Sequence, residues 1–198
     1  MGNVIVPIVG GNVSSSGPVI GGDAIPHEAG HILVGRVVGI HARGLTVDFE
    51  RFPDGGAAIG NFATLGYEPP DEEIPGMDSK LKAALMLFIA GGVAGNKFVG
   101  LATIGPGADA DRKSLARLTD MSLEAVSDMA LEIIKPKRRA FRQLVSLIRQ
   151  RLTDRVLKNR DIQTGSHLLV TEEDLDKIFS EYTEVDLDQK PTSEGAQP

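Results

Sequence analysis

Pro26-His27-Glu28-Ala29-Gly30-His31-Ile32-Leu33-Val34-Gly35-Arg36-Val37-Val38 places two imidazoles four residues apart with a carboxylate beside the first. On a helix, positions i and i+4 lie one above the other, so the rings of His27 and His31 can converge on one cation at about 2.0–2.1 Å per Zn–N bond. Glu28 projects next to them, where it can accept a proton from a water whose pKa zinc lowers from 15.7 to about 7. The pattern is short, and two surface histidines on an ordinary helix would also produce it. Its surroundings favour the metal reading. Asp23 offers an N-cap and Pro26 is tolerated in a first turn, which predicts a helix starting near residues 24–26 that carries all three side chains. Ile32, Leu33, Val34, Val37 and Val38 bury that helix. Gly30 costs about 1 kcal/mol relative to Ala inside it, which predicts a second backbone packed close by.

The remaining composition bounds the rest of the reading. A chain of 198 residues supports one core, and 41% hydrophobic with 24% charged residues is the balance of a water-soluble domain. With no Trp and 5% aromatics the core must be aliphatic. The absence of Cys removes disulfides, Cys-based zinc knuckles and a Cys nucleophile, and fits a reducing compartment. No basic residue precedes the short apolar run near the N-terminus, so a secretory signal is not expected and a cytoplasmic location is. The apolar stretch 83–101 is interrupted by Gly91, Gly92, Gly95, Asn96 and Lys97, and reads as a buried helix instead of a membrane span.

Residues 1–22 hold Val4-Ile5-Val6, a short strand candidate, and a Gly/Ser-rich run that lacks the Gly-Lys-Ser/Thr ending of a phosphate loop; a flexible segment is expected there. Leu45, Val47 and Phe49 alternate with polar residues at strand period, Phe52-Pro53-Asp54-Gly55-Gly56 carries turn chemistry, and residues 57–65 return as a partner strand, weakened at Gly60 and Asn61. In zinc peptidases a strand edge beside the metal commonly holds the substrate backbone extended. Residues 68–79, rich in Pro and acids, read as a solvated loop. A helix from Leu81 is apolar nearly all round, as a central helix would be, and its glycine-thinned end could lie against Gly30. Gly105-Pro106-Gly107-Ala108-Asp109-Ala110-Asp111 reads as a turn feeding a helix over about 110–118, whose acids would be ordinary helix-start partners. Further helices are predicted over Ser122 to Ile134, Arg138 to Asn159, and from a capping box at Thr171-Glu172-Glu173-Asp174 to about Tyr182. The fold class is therefore mainly α (α+β) with a small β-hairpin or sheet, in a domain over 23–182 followed by a disordered acidic tail over 183–198.

The order of these motifs resembles the peptidase domain of the FtsH-type AAA+ zinc metalloproteases. The resemblance runs from His27-Glu28-Ala29-Gly30-His31 through Gly55-Gly56-Ala57-Ala58-Ile59-Gly60 and Gly91-Gly92-Val93-Ala94 to Gly107-Ala108-Asp109-Ala110-Asp111, across about residues 25–180. It implies a helical, zincin-like metallopeptidase domain that binds Zn2+ through His27, His31 and Asp111, with Glu28 as the catalytic base. Spacing alone does not select Asp111: Asp109, Asp78 and the acids of the 68–73 loop serve as well on chemistry. His41 and His167 match no motif position and are expected to be exposed or locally hydrogen-bonded.

The sequence departs from that family in three places. It contains neither the ATPase module with its phosphate loop nor the membrane anchors, a Gly/Ser-rich segment replaces the helix before the zinc helix, and Gly95-Asn96-Lys97 stands where paired glutamates are usual. The expected activity is zinc-dependent, ATP-independent endopeptidase cleavage of flexible or unfolded polypeptides, with room for a separate ATPase partner or a homo-oligomer. The alternative is a catalytically silent peptidase-like module used for binding or regulation. Residues 135–160 carry ten Lys or Arg and one acid. Such a helix could track nucleic-acid phosphates, but more often it is a solvated face, and no aromatic residues interleave to stack bases.

Overall fold

Helix α1 (Ala24–Val38) starts where its Pro and its apolar run predict, and every residue from Ala24 to Gly35 is buried. The structure is a computed structural model describing residues 24–52, 57–66, 77–101, 106–159 and 161–183. The Val4–Val6 strand, the Asp23 cap, Pro53 to Gly56 of the turn, residues 68–76 of the loop and the tail beyond 183 lie outside the described residues.

Next in the chain come strands β1 (Gly44–Arg51) and β2 (Ala57–Leu65), paired antiparallel as the hairpin reading predicts. Leu45, Val47 and Phe49 face the core, while Asp48 and Glu50 face water. The register shifts between Val47, opposite Phe62, and Phe49, opposite Ile59. The extra residue of this bulge falls at Gly60–Asn61, where the strand signal is weakest. A third strand, β3 (Gly165–Val170), was not predicted; it pairs with the other side of β1 and gives the order β2-β1-β3. A bulge between Leu45 and Thr46 lets Leu169 and Val170 both be buried, which breaks the alternation that marks a strand in sequence.

Helix α2 (Ser79–Phe98) begins two residues before Leu81, capped by Asp78, whose Oδ1 accepts from the N–H groups of Lys80 (3.0 Å) and Leu81 (3.1 Å). Only its second half is central. Leu81 is 46% exposed, whereas residues 88–96 are buried without interruption. By length and composition α2 could cross a membrane, but over half of it is buried inside the fold, as expected for a core helix. Helix α3 (Pro106–Leu115) starts four residues earlier than expected, because Pro at the first helical position has its φ already set and gives up no hydrogen bond. It also closes earlier, in a tighter turn where Leu118 N donates to Leu115 O at 2.8 Å.

Ser122 caps α4 (Leu123–Ile134), its hydroxyl accepting from Ala125 N at 3.2 Å. Pro136 sits in a short 3-10 turn leading into α5 (Arg138–Arg151), which runs on as a π-helical turn over Leu152–Leu157. Phe141, Leu144, Ile148, Leu152 and Val156 form its buried stripe. Helix α6 (Glu172–Thr183) opens with the predicted capping box: Asp174 N donates to Thr171 Oγ1 (3.2 Å) and Thr171 N to Asp174 Oδ2 (2.9 Å). Arg151 closes on the same carboxylate with both guanidinium nitrogens, Nη2 at 2.6 Å from Oδ1, and also donates to Leu169 O at 2.9 Å. One arginine thus ties the end of α5 to β3 and α6.

The contact that positions α1 is made of backbone. A Cβ added to Gly30 would run into the Gly91 carbonyl and lie 3.1 Å from Gly95 Cα, and one on Gly91 would lie 2.8 Å from Gly30 O. The close neighbour that Gly30 predicts is therefore the glycine end of α2. Gly30→Ala should lower stability by about 1–3 kcal/mol or more, despite Ala's better helix propensity, because neither facing backbone can yield; urea unfolding reads this directly.

Asp174 supplies a second test. Burial pushes its carboxyl up, but hydrogen bonds from Arg151 and Thr171 outweigh that and hold it at about 2, below the ordinary 3.8. A depressed folded-state pKa stabilises above the unfolded value and is lost as pH falls through the folded one. Asp174→Asn should thus cost about 1–2 kcal/mol at pH 7, with the gap to wild type closing between pH 4 and 2 in urea midpoints.

Candidate metal centre

Helix α1 brings His27, Glu28 and His31 into the interior, where they are 4%, 5% and 8% exposed. The two rings stand nearly perpendicular, 83° apart, with their Nε2 atoms 3.1 Å from each other. Helix α3 brings Asp111 against them, with Oδ2 3.4 Å from His27 Nε2 and Oδ1 3.5 Å from His31 Nε2. Asp109 turns away and pairs with Arg112 at 2.8 Å. Of the two acids in that motif, Asp111 is therefore the one the fold gathers with the histidines. Asp78 is the cap of α2, and residues 68–73 lie outside the described residues.

His31 Nδ1 lies 2.8 Å from the Phe88 carbonyl oxygen. A carbonyl only accepts, so Nδ1 carries the proton and Nε2 of the neutral ring presents its lone pair to the cluster. A backbone carbonyl behind a ligating histidine is the usual arrangement at metal sites. No residue type in the sequence marks this partner, so sequence reading missed it.

Electrostatically the cluster is uncompensated. Burial lowers His27 well below its ordinary value, and the neighbouring His31 adds to the fall. Burial brings His31 down to about 4 against the opposing Phe88 hydrogen bond, and lifts Glu28 to about 8. Asp111 is raised by burial first and by the like charge of Glu28 second. Its Oδ2 is buried with no hydrogen-bond partner among the described residues, an uncommon state for a carboxylate oxygen.

A divalent cation fits these residues. Two imidazole nitrogens and a carboxylate lie within 4.8 Å of one another. The 3.1 Å between the two Nε2 atoms is close to the ligand–ligand edge of about 3.3 Å in a tetrahedron with 2.0–2.1 Å bonds, and each carboxylate oxygen of Asp111 approaches one of the rings, Oδ2 at 3.4 Å from His27 and Oδ1 at 3.5 Å from His31. A cation would also give Asp111 Oδ2 the partner it lacks.

The other expectations resolve locally. His41 is exposed beside Glu172, and His167 is hydrogen-bonded to Gln163 O at 2.8 Å. Lys97, in the departure after Ala94, reaches across to Ser127 Oγ and Asp128 Oδ1, both at 2.7 Å, and pins α2 to α4. In the basic segment, Arg138, Arg139, Arg142 and Arg149 are exposed and enter no ion pair among the described residues, whereas Arg151 and Lys158 are paired. Neither strand β2 nor β3 has a second neighbouring strand among the described residues, so both are sheet edges.

No protein-family model matches the sequence, and no curated protein matches it. The chemistry of the cluster therefore carries the functional argument. The chain should take up one divalent ion, measured by equilibrium dialysis with metal analysis. Asp111→Asn and His31→Ala should each lower that occupancy, and Asp109→Asn should leave it near wild type; loss on changing Asp109 alone would give the site to the other acid.

Proposed function

We propose that the protein is a zinc-dependent endopeptidase. The observation that supports this best is the convergence of His27, His31 and Asp111, from two helices far apart in sequence, with Glu28 buried beside them. Two imidazoles and a carboxylate suit zinc, and a three-residue set leaves the fourth position that catalytic zinc requires. When bound, zinc supplies Lewis acidity, polarising a carbonyl and making water acidic enough to give up a proton near neutral pH.

The protein's own groups do the rest. His31, its tautomer set by the Phe88 carbonyl, would hold the cation together with His27 and Asp111. Glu28, next to His27 in the chain, would take a proton from the attacking water and return it to the leaving amine; burial alone keeps it protonated up to about 8, and a cation at the cluster would favour the carboxylate form that this role needs. Burial excludes bulk water and strengthens each charge interaction. An extended polypeptide would add as a further strand at a sheet edge, and β2 and β3 each present one.

Glu28→Gln keeps shape and helix propensity while removing the base. Stability and zinc content should stay near wild type, and cleavage of a flexible substrate such as denatured casein should fall by at least about 100-fold. A zinc-loaded wild type that leaves a broad panel of flexible substrates uncut would make the binding-module reading the better one. Equal cleavage by wild type and Glu28→Gln would overturn the role of Glu28.

A further inference from the structure

Three of the glycines in the α1–α2 contact face backbone. A Cβ at Gly30 meets the Gly91 carbonyl, one at Gly91 meets the Gly30 carbonyl, and one at Gly95 meets the Pro26 carbonyl. Gly92 is different. A Cβ there would lie 2.5 Å from His27 Cε1, 2.5 Å from His31 Nε2 and 2.6 Å from His27 Nε2. Its three nearest neighbours would all be ring atoms of the cluster, whereas at 30, 91 and 95 the nearest is a backbone carbonyl oxygen.

Neither ring has room to retreat. His27 and His31 are 4% and 8% exposed, and His31 is held from behind by its hydrogen bond to Phe88 O. That carbonyl lies one turn before Gly92 on the same face of α2, and a helical Cβ tilts toward the preceding turn. The bare α-carbon at 92 therefore leaves two things open: the space the imidazoles occupy and the approach to the carbonyl that orients one of them. Glycine is a poorer helix former than Ala, and helix packing accounts for its use at 91 and 95 but not at 92.

We infer that Gly92 is a positioning residue of the metal centre, its missing side chain setting where the two imidazole nitrogens stand. The inference rests on the metal reading of the site, and part of its test does not need metal.

The full chain carrying Gly92→Ala is compared with wild type and Gly91→Ala. Circular dichroism and urea unfolding of metal-free protein report the fold, Zn2+ titration reports affinity, and 15N NMR of the imidazoles in metal-free protein reports ring placement. Gly92→Ala should remain folded, shift the His31 Nδ1–H signal as its hydrogen bond to Phe88 is disturbed, and bind Zn2+ about 10–100-fold more weakly, as loss of a ligand-orienting neighbour does. Gly91→Ala should instead lose stability. Wild-type Zn2+ affinity in Gly92→Ala overturns the inference, as does unfolding of Gly92→Ala to the extent seen for Gly91→Ala, which would make 92 a packing position. If wild type itself binds no Zn2+, the metal reading fails, and unchanged ring signals in Gly92→Ala would then overturn the placement of the rings by Gly92 separately.

Discussion

Two helices touch backbone to backbone where Gly30 of α1 meets Gly91 and Gly95 of α2, and the site exists because they can. At an ordinary interaxial distance of 8–10 Å, side chains fill the gap between helices. Here the α-carbons themselves are in the gap, which brings the Phe88 carbonyl within hydrogen-bond reach of the His31 ring. With α4 and α5 packed against its other sides, α1 is buried from Ala24 to Gly35. A helix carrying two histidines and a glutamate would otherwise turn them to water.

That burial has an energetic consequence for the whole domain. Four ionisable side chains sit in a low-dielectric interior, and each is pushed by desolvation toward its neutral form. Such a cluster is destabilising on its own and must be held by its surroundings. The surroundings are stiff for identifiable reasons: the glycine contact leaves no slack between α1 and α2, Lys97 fastens α2 to α4, and Arg151 fastens α5 to β3 and α6. The cost of the cluster is thereby spread over the fold.

What could be read from the sequence follows from where each signal is stored. Helix α1, the β1–β2 hairpin, the Thr171–Asp174 cap and the stripe of α5 are local patterns of period, cap or turn, and local patterns are legible. The strand β3 was not, because its burial is set by a bulge opposite Leu45 and Thr46 and its own alternation is broken. The start of α3 was misplaced because Gly-Pro-Gly signals a turn and a helix start alike. His27, Glu28 and His31 announce a site through spacing, whereas Asp111 needed either a resemblance or the fold, since its partners lie on another helix. The Phe88 carbonyl, being backbone, was out of reach of any residue-type argument.

Gly91-Gly92 shows how far a local reading can be right and still incomplete. The run of glycines was legible as a thin helix end awaiting a neighbour, and the neighbour is there. Yet adjacent residues on a helix point about 100° apart, so two glycines in sequence cannot serve the same contact. Gly91 faces the α1 backbone, and Gly92 faces the imidazoles. Helical geometry alone requires that division once one of them is assigned to packing, and it directs the search for the second to whatever lies next around α2. What lies there is the donor end of both histidines, so the feature that joins the helices and the feature that clears the site are written side by side in the chain.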